Sequence, residues 1–254
     1  MASESNKPRI PVALKNDTIV ESIFEIRFDT AVPDAGDLLP GMLYPQLKGD
    51  YPTLTRLPTA EIPKAIRQKQ PNMAFTALHK LQGTNRSVSV GEQVLTLSVV
   101  RPYPGWQRFC ELITEVVEVA QGTKLIASIS RVALRYSNII QLGDSDYDLS
   151  PLDVTLRLNS FEIKGPGTHI RSEISRNGCI SIAQIVTCAS ANVQGKEALS
   201  GVMLDVDTQK VGPFKNFWTE FTDTIELIHN TEKEIFFGLL TNDSVEKLKP
   251  TWPH

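Results

Sequence analysis

Residues Ile19 to Phe28 read IVESIFEIRF, with Val20, Phe24, Ile26 and Phe28 alternating against Glu21, Ile23, Glu25 and Arg27. Alternation with period two marks a strand that buries one face and leaves the other polar. A helix would need the apolar residues three and four apart, and here they fall two apart. The first element is therefore a strand near the N-terminus, and its charged face needs partners.

Working outward, the sequence before it, MASESNKPRIP, is polar and proline-punctuated, and residues 1–16 are expected to form a flexible tail. After the strand, DLLPGMLYPQL places Leu38, Leu39, Met42, Leu43 and Leu47 near helical spacing, while Pro40 and Pro45 predict a short or broken helix. Residues 51–71 carry several prolines and no periodic apolar face, so they read as a meandering connection. Two strands follow in MAFTALHKL and QVLTLSVV, joined across GTNRSVSVGE. Trp106, Phe109, Leu112, Ile113, Val116 and Val117 then mark one stripe of a helix over 106–120. A long strand through LIASISRVALRYSNIIQL completes the order β-α-β-β-α-β, a ferredoxin-like half over residues 17–143.

Residues 144–254 are expected to form the second half, β-β-β-α, packed with the first in one body. Its strands are read in LDVTLRLNSFEI, then THIRSEI and CISIAQIVT around Asn177-Gly178, the strongest short hairpin signal in the chain, then GVMLDVD. A long helix is expected from near Pro213, with Phe217, Phe221, Thr224, Ile225 and Ile228 inside, and a short final helix around Leu239 to Leu248. The fold class is α+β with a largely antiparallel sheet.

With 254 residues, a charged fraction of 22% and a formal net charge of -3, the chain has no basic excess to draw in a nucleic-acid backbone. No stretch is long and apolar enough for a membrane span, and no secretory signal opens the sequence, so residence in the cytoplasm is expected. Cys110, Cys179 and Cys188 are an odd set without metal-pair spacing and read as reduced thiols.

IVESIFEIRF, SRVALRYSNII, LDVDTQ, FWTEF and EIFFGLLT together resemble a sporadically distributed, largely uncharacterised bacterial family of about this length. Its members open on an IVEA-x-x-EIRF strand and carry an Arg-x-x-Leu-Arg-Tyr-x-Asn segment. The resemblance spans Asp17 to Lys249, and Asn16-Asp17-Thr18 replaces the prolines usual before the strand. It implies no chemistry. The patchy distribution implies a mobile-element, toxin–antitoxin or phage-defence setting.

The candidate ligand site is the charged face. If the first and fourth strands are neighbours, Glu21, Glu25 and Arg27 lie beside Arg131 and Arg135. They then form either a surface ion-pair ladder or, with Arg171, a phosphate-binding pocket, because guanidinium forks bind phosphate bidentately. Residues 23–27 resemble the Glu-x-Glu-x-Lys strand of triphosphate-tunnel enzymes but lack the first acid and carry Arg for Lys. Asp205 and Asp207 share a strand face at i and i+2, a geometry that suits a divalent cation or simply a polar face. Asp144, Asp146 and Asp148 mimic the start of a calcium loop that then fails at Leu149 and Thr155. His79, His169, His229 and His254 show no metal-ligand spacing.

No catalytic residue and no cofactor is expected. The leading expectation is a non-enzymatic protein-interaction or regulatory module, with another protein as partner and Trp218, Phe236 and Phe237 as anchors. The alternative is a metal-dependent enzyme or sensor of a phosphate-containing ligand that uses the charged sheet face.

Overall fold

The computed structural model describes residues 10–67, 69–142, 148–191 and 198–253. In chain order the elements are β1 (Ala13–Leu14), β2 (Ile19–Thr30), α1 (Ala35–Leu47), β3 (Thr53–Arg56), α2 (Lys64–Arg67), β4 (Ala77–Gln82), β5 (Arg86–Gly91) and β6 (Val94–Val100). They continue as α3 (Trp106–Gly122), β7 (Ile126–Ile140), β8 (Arg157–Leu158), β9 (Phe161–Glu162), β10 (His169–Arg176), β11 (Cys179–Ala191) and β12 (Leu199–Val211). The last are α4 (Phe221–Gly238), α5 (Asn242–Lys247) and β13 (Pro250–Thr251). This is an α+β chain with a large, mostly antiparallel sheet.

Two compact units emerge, and the division does not follow the expected break at residue 143. Glu21–Arg135 with Gln209–Ile225 make the charged-strand unit; Met1–Val20, Tyr136–Thr208 and Glu226–His254 make the hairpin unit. Strands β2, β7 and β12 are long enough to give residues to both.

In the charged-strand unit the strand order is β12-β7-β2-β6-β5-β4-β3. β2 pairs antiparallel with β6 so that Phe24 faces Leu97 and Glu25 faces Thr96. Leu97 in turn faces Val88 on β5, and Val88 faces Leu81 on β4. Phe24, Leu97, Val88 and Leu81 are all fully buried, so one face of this sheet is a continuous apolar row. The opposite face carries Glu25, Thr96, Ser89 and Lys80, as period two requires. Helix α3 buries Phe109, Leu112, Ile113, Val116, Val117 and Ala120, the expected stripe with Ala120 added and Trp106 at its margin.

Three expectations for this unit change. The GTNRSVSVGE connection contains β5, because Ser87 to Val90 alternate small polar and apolar residues and pair on both sides. Residues 51–71 are not an unstructured connection: β3 pairs with β4, and a 3-10 turn and α2 follow. Helix α1 runs unbroken through Pro40 and Pro45, with Leu39, Pro40, Leu43 and Leu47 buried on one side. Each proline forfeits one backbone bond, but the buried side is kept. Leu38 and Met42 of the expected stripe lie exposed instead.

In the hairpin unit the order is β10-β11-β12-β7. Asn177 and Gly178 both have positive φ, at 52° and 72°, and join β10 to β11 with Arg176 opposite Cys179. That is the two-residue turn whose twist matches the strands. Ile140, Val202, Leu204 and Val206 pack with Ile235, Phe236, Phe237 and Leu240 into one core. Residues 152–163 are not the expected strand. Leu152 is buried and bridges to Leu240, while Leu158 lies exposed in the two-residue β8–β9 hairpin, so the apolar alternation docks at one end only. Helix α4 begins at Phe221 rather than near Pro213, and Phe217 is buried from the preceding turn; both residues belong to the charged-strand unit, the rest of α4 from Glu226 to the hairpin unit. The expected tail is held over its second half: β1 pairs with β13, and Lys15 and Asn16 donate backbone bonds to Lys249 and Leu248. Residues 1–9, and with them the first part of that tail, lie outside the described residues.

Among the described residues no helix is long and apolar enough to cross a membrane.

Candidate functional site

The charged face of β2 is the first candidate. Period two puts Glu21, Glu25 and Arg27 on one side of the strand, and β7 lies beside it. Glu25 Oε1 accepts from Arg27 Nε at 2.7 Å and from Arg131 on β7. Arg131 Nε donates to Gln209 at the end of β12. The Arg27 guanidinium sits 4.4 Å from the centre of the Phe75 ring, a cation–π distance. Glu21 accepts from Ser98 Oγ at 2.5 Å. The ladder thus runs Gln209, Arg131, Glu25, Arg27, Phe75, with its charged side chains between 11% and 31% exposed. Arg135 lies further along the same face of β7, half-buried.

Chemically the charges of this arrangement are paired within the protein. One carboxylate oxygen holds two guanidinium groups, and each guanidinium has a second partner in the protein. Glu25 and Arg131 meet across β2 and β7, as the expected strand adjacency requires. Arg171, the remaining arginine proposed for phosphate, is exposed on β10 in the hairpin unit, opposite Gln184.

The acidic pair separates by environment. Asp205 is completely buried and accepts from Ser137 Oγ, while Asp207 is half-buried two residues on. Among the described residues no group of three or more His, Cys, Asp or Glu side chains could hold a metal ion. Asp144 and Asp146 of the calcium-loop mimic, and His254, lie outside the described residues.

Phe236 and Phe237 are buried in the core of the hairpin unit, stacked edge-to-face at 5.0 Å, so they are not available as surface anchors. They occupy adjacent positions of α4, and both pack into that core. Trp218 is half-buried against Phe217 at 5.0 Å.

Asp205 belongs to a buried polar cluster that sequence reasoning missed. Tyr136 Oη lies 3.4 Å from His229 Nδ1, and both side chains are buried. Asn138 is bound by Thr18 Oγ1 at 2.8 Å and reaches the Leu204 carbonyl at 3.2 Å. Glu232, one helical turn after His229, is 5% exposed and has no hydrogen-bond partner among the described residues. Burial pushes its carboxyl up to about 8, with Asp205 adding to the rise and Lys233 opposing it. Burial likewise drives the His229 imidazole down to about 3, with Lys233 adding to the fall. The signal for both residues was present in α4. Ile225, Ile228, His229, Glu232, Ile235 and Phe236 form one stripe of three- and four-residue spacings, and two of its positions are titratable.

A second feature of the charged-strand unit is a cavity of about 340 Å³ beside the start of α1, with Arg67, Lys64, Glu92 and Asp34 among its lining side chains. None of these residues was singled out from the sequence, because they lie in segments read as connections.

No protein-family model and no curated protein matches the chain.

Proposed function

We propose that the chain is a non-catalytic protein-interaction module whose contact element is the β8–β9 hairpin. One observation carries the reading. Leu158 and Phe161 stand opposite each other in that hairpin, 63% and 71% exposed, and Phe161 is the most exposed large hydrophobic among the described residues. Leaving such a ring in water forgoes roughly 1.5–3 kcal/mol that burial in a partner's recess would supply. Aromatic anchors of this kind commonly dominate an interface. Arg157 and Glu162 flank the pair, and Lys164 bonds to Glu162 at 3.1 Å, giving a mixed-charge rim. The expected partner is a protein with an apolar recess inside a polar border.

The internally paired charge ladder supports the non-catalytic part of this reading. The strand order β7-β2-β6-β5, with α1 and α3 in the connections, supports a ferredoxin-like origin for the charged-strand unit, widened by β3 and β4. The resemblance carried by IVESIFEIRF and SRVALRYSNII supports a regulatory role in a cytoplasmic multi-gene bacterial system of the toxin–antitoxin or phage-defence kind.

The test uses the full-length chain and Phe161→Ser as baits in an extract of the native host, with sedimentation of each protein alone. Hydrophobic loss at an exposed tip should leave Tm unchanged. A defined partner held by the wild type and lost from Phe161→Ser is the expected result. A dimer that the substitution converts to a monomer would identify a second copy as the partner. Equal capture by both baits, with no change in oligomeric state, would overturn the hairpin as the contact element.

A further inference from the structure

The cavity of the charged-strand unit lies where α1 begins, and residues from β2, α2, β4 and the β5–β6 turn surround it. At about 340 Å³ it falls at the small end of the range for small-molecule sites. Its chemistry is set by Arg67, which is 8% exposed. A guanidinium has five N–H donors. Arg67 uses one nitrogen on the Ile62 carbonyl and another on Glu92 Oε1 at 2.5 Å, so three N–H groups have no acceptor among the described residues. Donors of a buried cation left this way favour an incoming oxyanion.

Three neighbours add donors or positive potential to the same cavity. Lys64 lines it and is paired with Asp34, whose carboxylate raises the Lys64 pKa chiefly through that hydrogen bond. Gln93, Thr30 and Thr76 contribute an amide and two hydroxyls to the wall. The first turn of the 13-residue helix α1 opens there without a side-chain cap from Asp34, which itself has a left-handed backbone. Gly36 makes the approach possible: a Cβ at that position would stand 2.7 Å from the Glu92 backbone. The helix start is therefore held directly against the turn that supplies the partner of Arg67.

Charge limits the occupant. Lys64 and Arg67 are balanced by Asp34 and Glu92, so the walls are close to neutral before anything binds. A polyanion would meet two carboxylates it cannot displace together, whereas one carboxylate or phosphomonoester group needs only the donors left over. We propose that this cavity is a binding site for a small molecule bearing a single carboxylate or phosphate group, held by Arg67 and Lys64.

The site is distinct from the β8–β9 hairpin, and its test is independent of any protein partner. Thermal shift of the full-length chain is measured against inorganic phosphate, glycerol phosphate, acetate, propionate and adenosine triphosphate, each compared with sodium chloride at matched ionic strength. The expected result is a saturable rise in Tm with either the phosphate pair or the carboxylate pair, exceeding that with the triphosphate; which pair responds identifies the source of the oxyanion. Lys64→Met removes an outer, partly exposed pair and should fold normally while weakening the response about tenfold. Arg67→Gln should abolish it, and the double variant Arg67→Met with Glu92→Met, which leaves no unpaired carboxylate, should do the same if Arg67→Gln alone is unstable. Arg171→Gln, in the other unit, should leave it intact. No saturable shift beyond the chloride control would overturn the proposal, and so would a shift undiminished in the folded Lys64 and Arg67 variants.

Discussion

The charge ladder of β2 and the polar cluster around α4 use the same residue types under opposite conditions. Glu25 keeps part of its surface in water and holds two arginines on one oxygen. Glu232 is buried without a hydrogen-bond partner among the described residues, and the charges that act on it are Lys233 and Asp205. In the ladder, attraction is bought cheaply because solvent still helps each charge. In the cluster, desolvation outweighs the neighbouring charges at Glu232 and His229, and these two groups favour their neutral forms instead. A carboxylate's residue type therefore says little about its charge; its neighbours and its depth decide.

The largest test of that contrast is pH. Glu232 has a folded value of about 8 against an ordinary 4.5, so the folded state holds the proton more tightly. Stability from this group is fully present below about pH 4.5 and is lost as pH rises through about 8, a total of roughly 3–6 kcal/mol. Glu232→Gln should flatten that alkaline loss, and melting of both proteins between pH 5 and pH 9 measures it. Parallel curves would mean that Glu232 is solvated and that the contrast fails.

His229 works in the other direction. Its folded value of about 3 lies below the ordinary 6.5, so the unfolded chain takes up the proton first. Stability is lost as pH falls from about 6.5 toward 3, by roughly 2–5 kcal/mol. His229→Gln should remove most of that acid loss, read as a higher urea midpoint near pH 4 relative to the wild type. Between about pH 4.5 and 6.5 the two slopes oppose each other, and the double variant should show the flattest profile.

The ladder should respond least. Arg131→Ala removes two partners at a mostly buried position and is expected to cost about 1–2 kcal/mol, while Arg27→Ala should cost about 1 kcal/mol or less. A double-mutant cycle in chemical denaturation should give a coupling of about 0.5 kcal/mol or more, because both guanidinium groups share one Glu25 oxygen. A cost for Arg131→Ala near that of the Glu232 titration would place the ladder in the buried class.

The same contrast explains what could be read beforehand. The β2 alternation, the α3 stripe and Asn177-Gly178 are local patterns, and each became the expected element. The meeting of Glu25 with Arg131 followed from strand adjacency. What escaped was non-local or masked by composition. Serines in Ser87 to Val90 weakened the strand signal, two prolines hid the continuity of α1, and Leu152 to Leu158 alternated without a sheet to join. Arg67 meets Glu92, 25 positions further along the chain, which no short window contains. His229 and Glu232 were legible only as violations of the α4 stripe.

The interleaving of the two units also bears on how the chain is made. Asn16 bonds to Lys247 across 231 positions, and the charged-strand unit takes in residues as late as Ile225. Neither unit is complete while most of the polypeptide is still on the ribosome, so folding one domain at a time during synthesis is closed to it. Such distant pairings slow folding, since loop closure must precede the contacts that reward it. During that wait the apolar rows of β2, β6 and β5 are open to other chains, and the half-made protein, more than the finished one, is where chaperones have most to do.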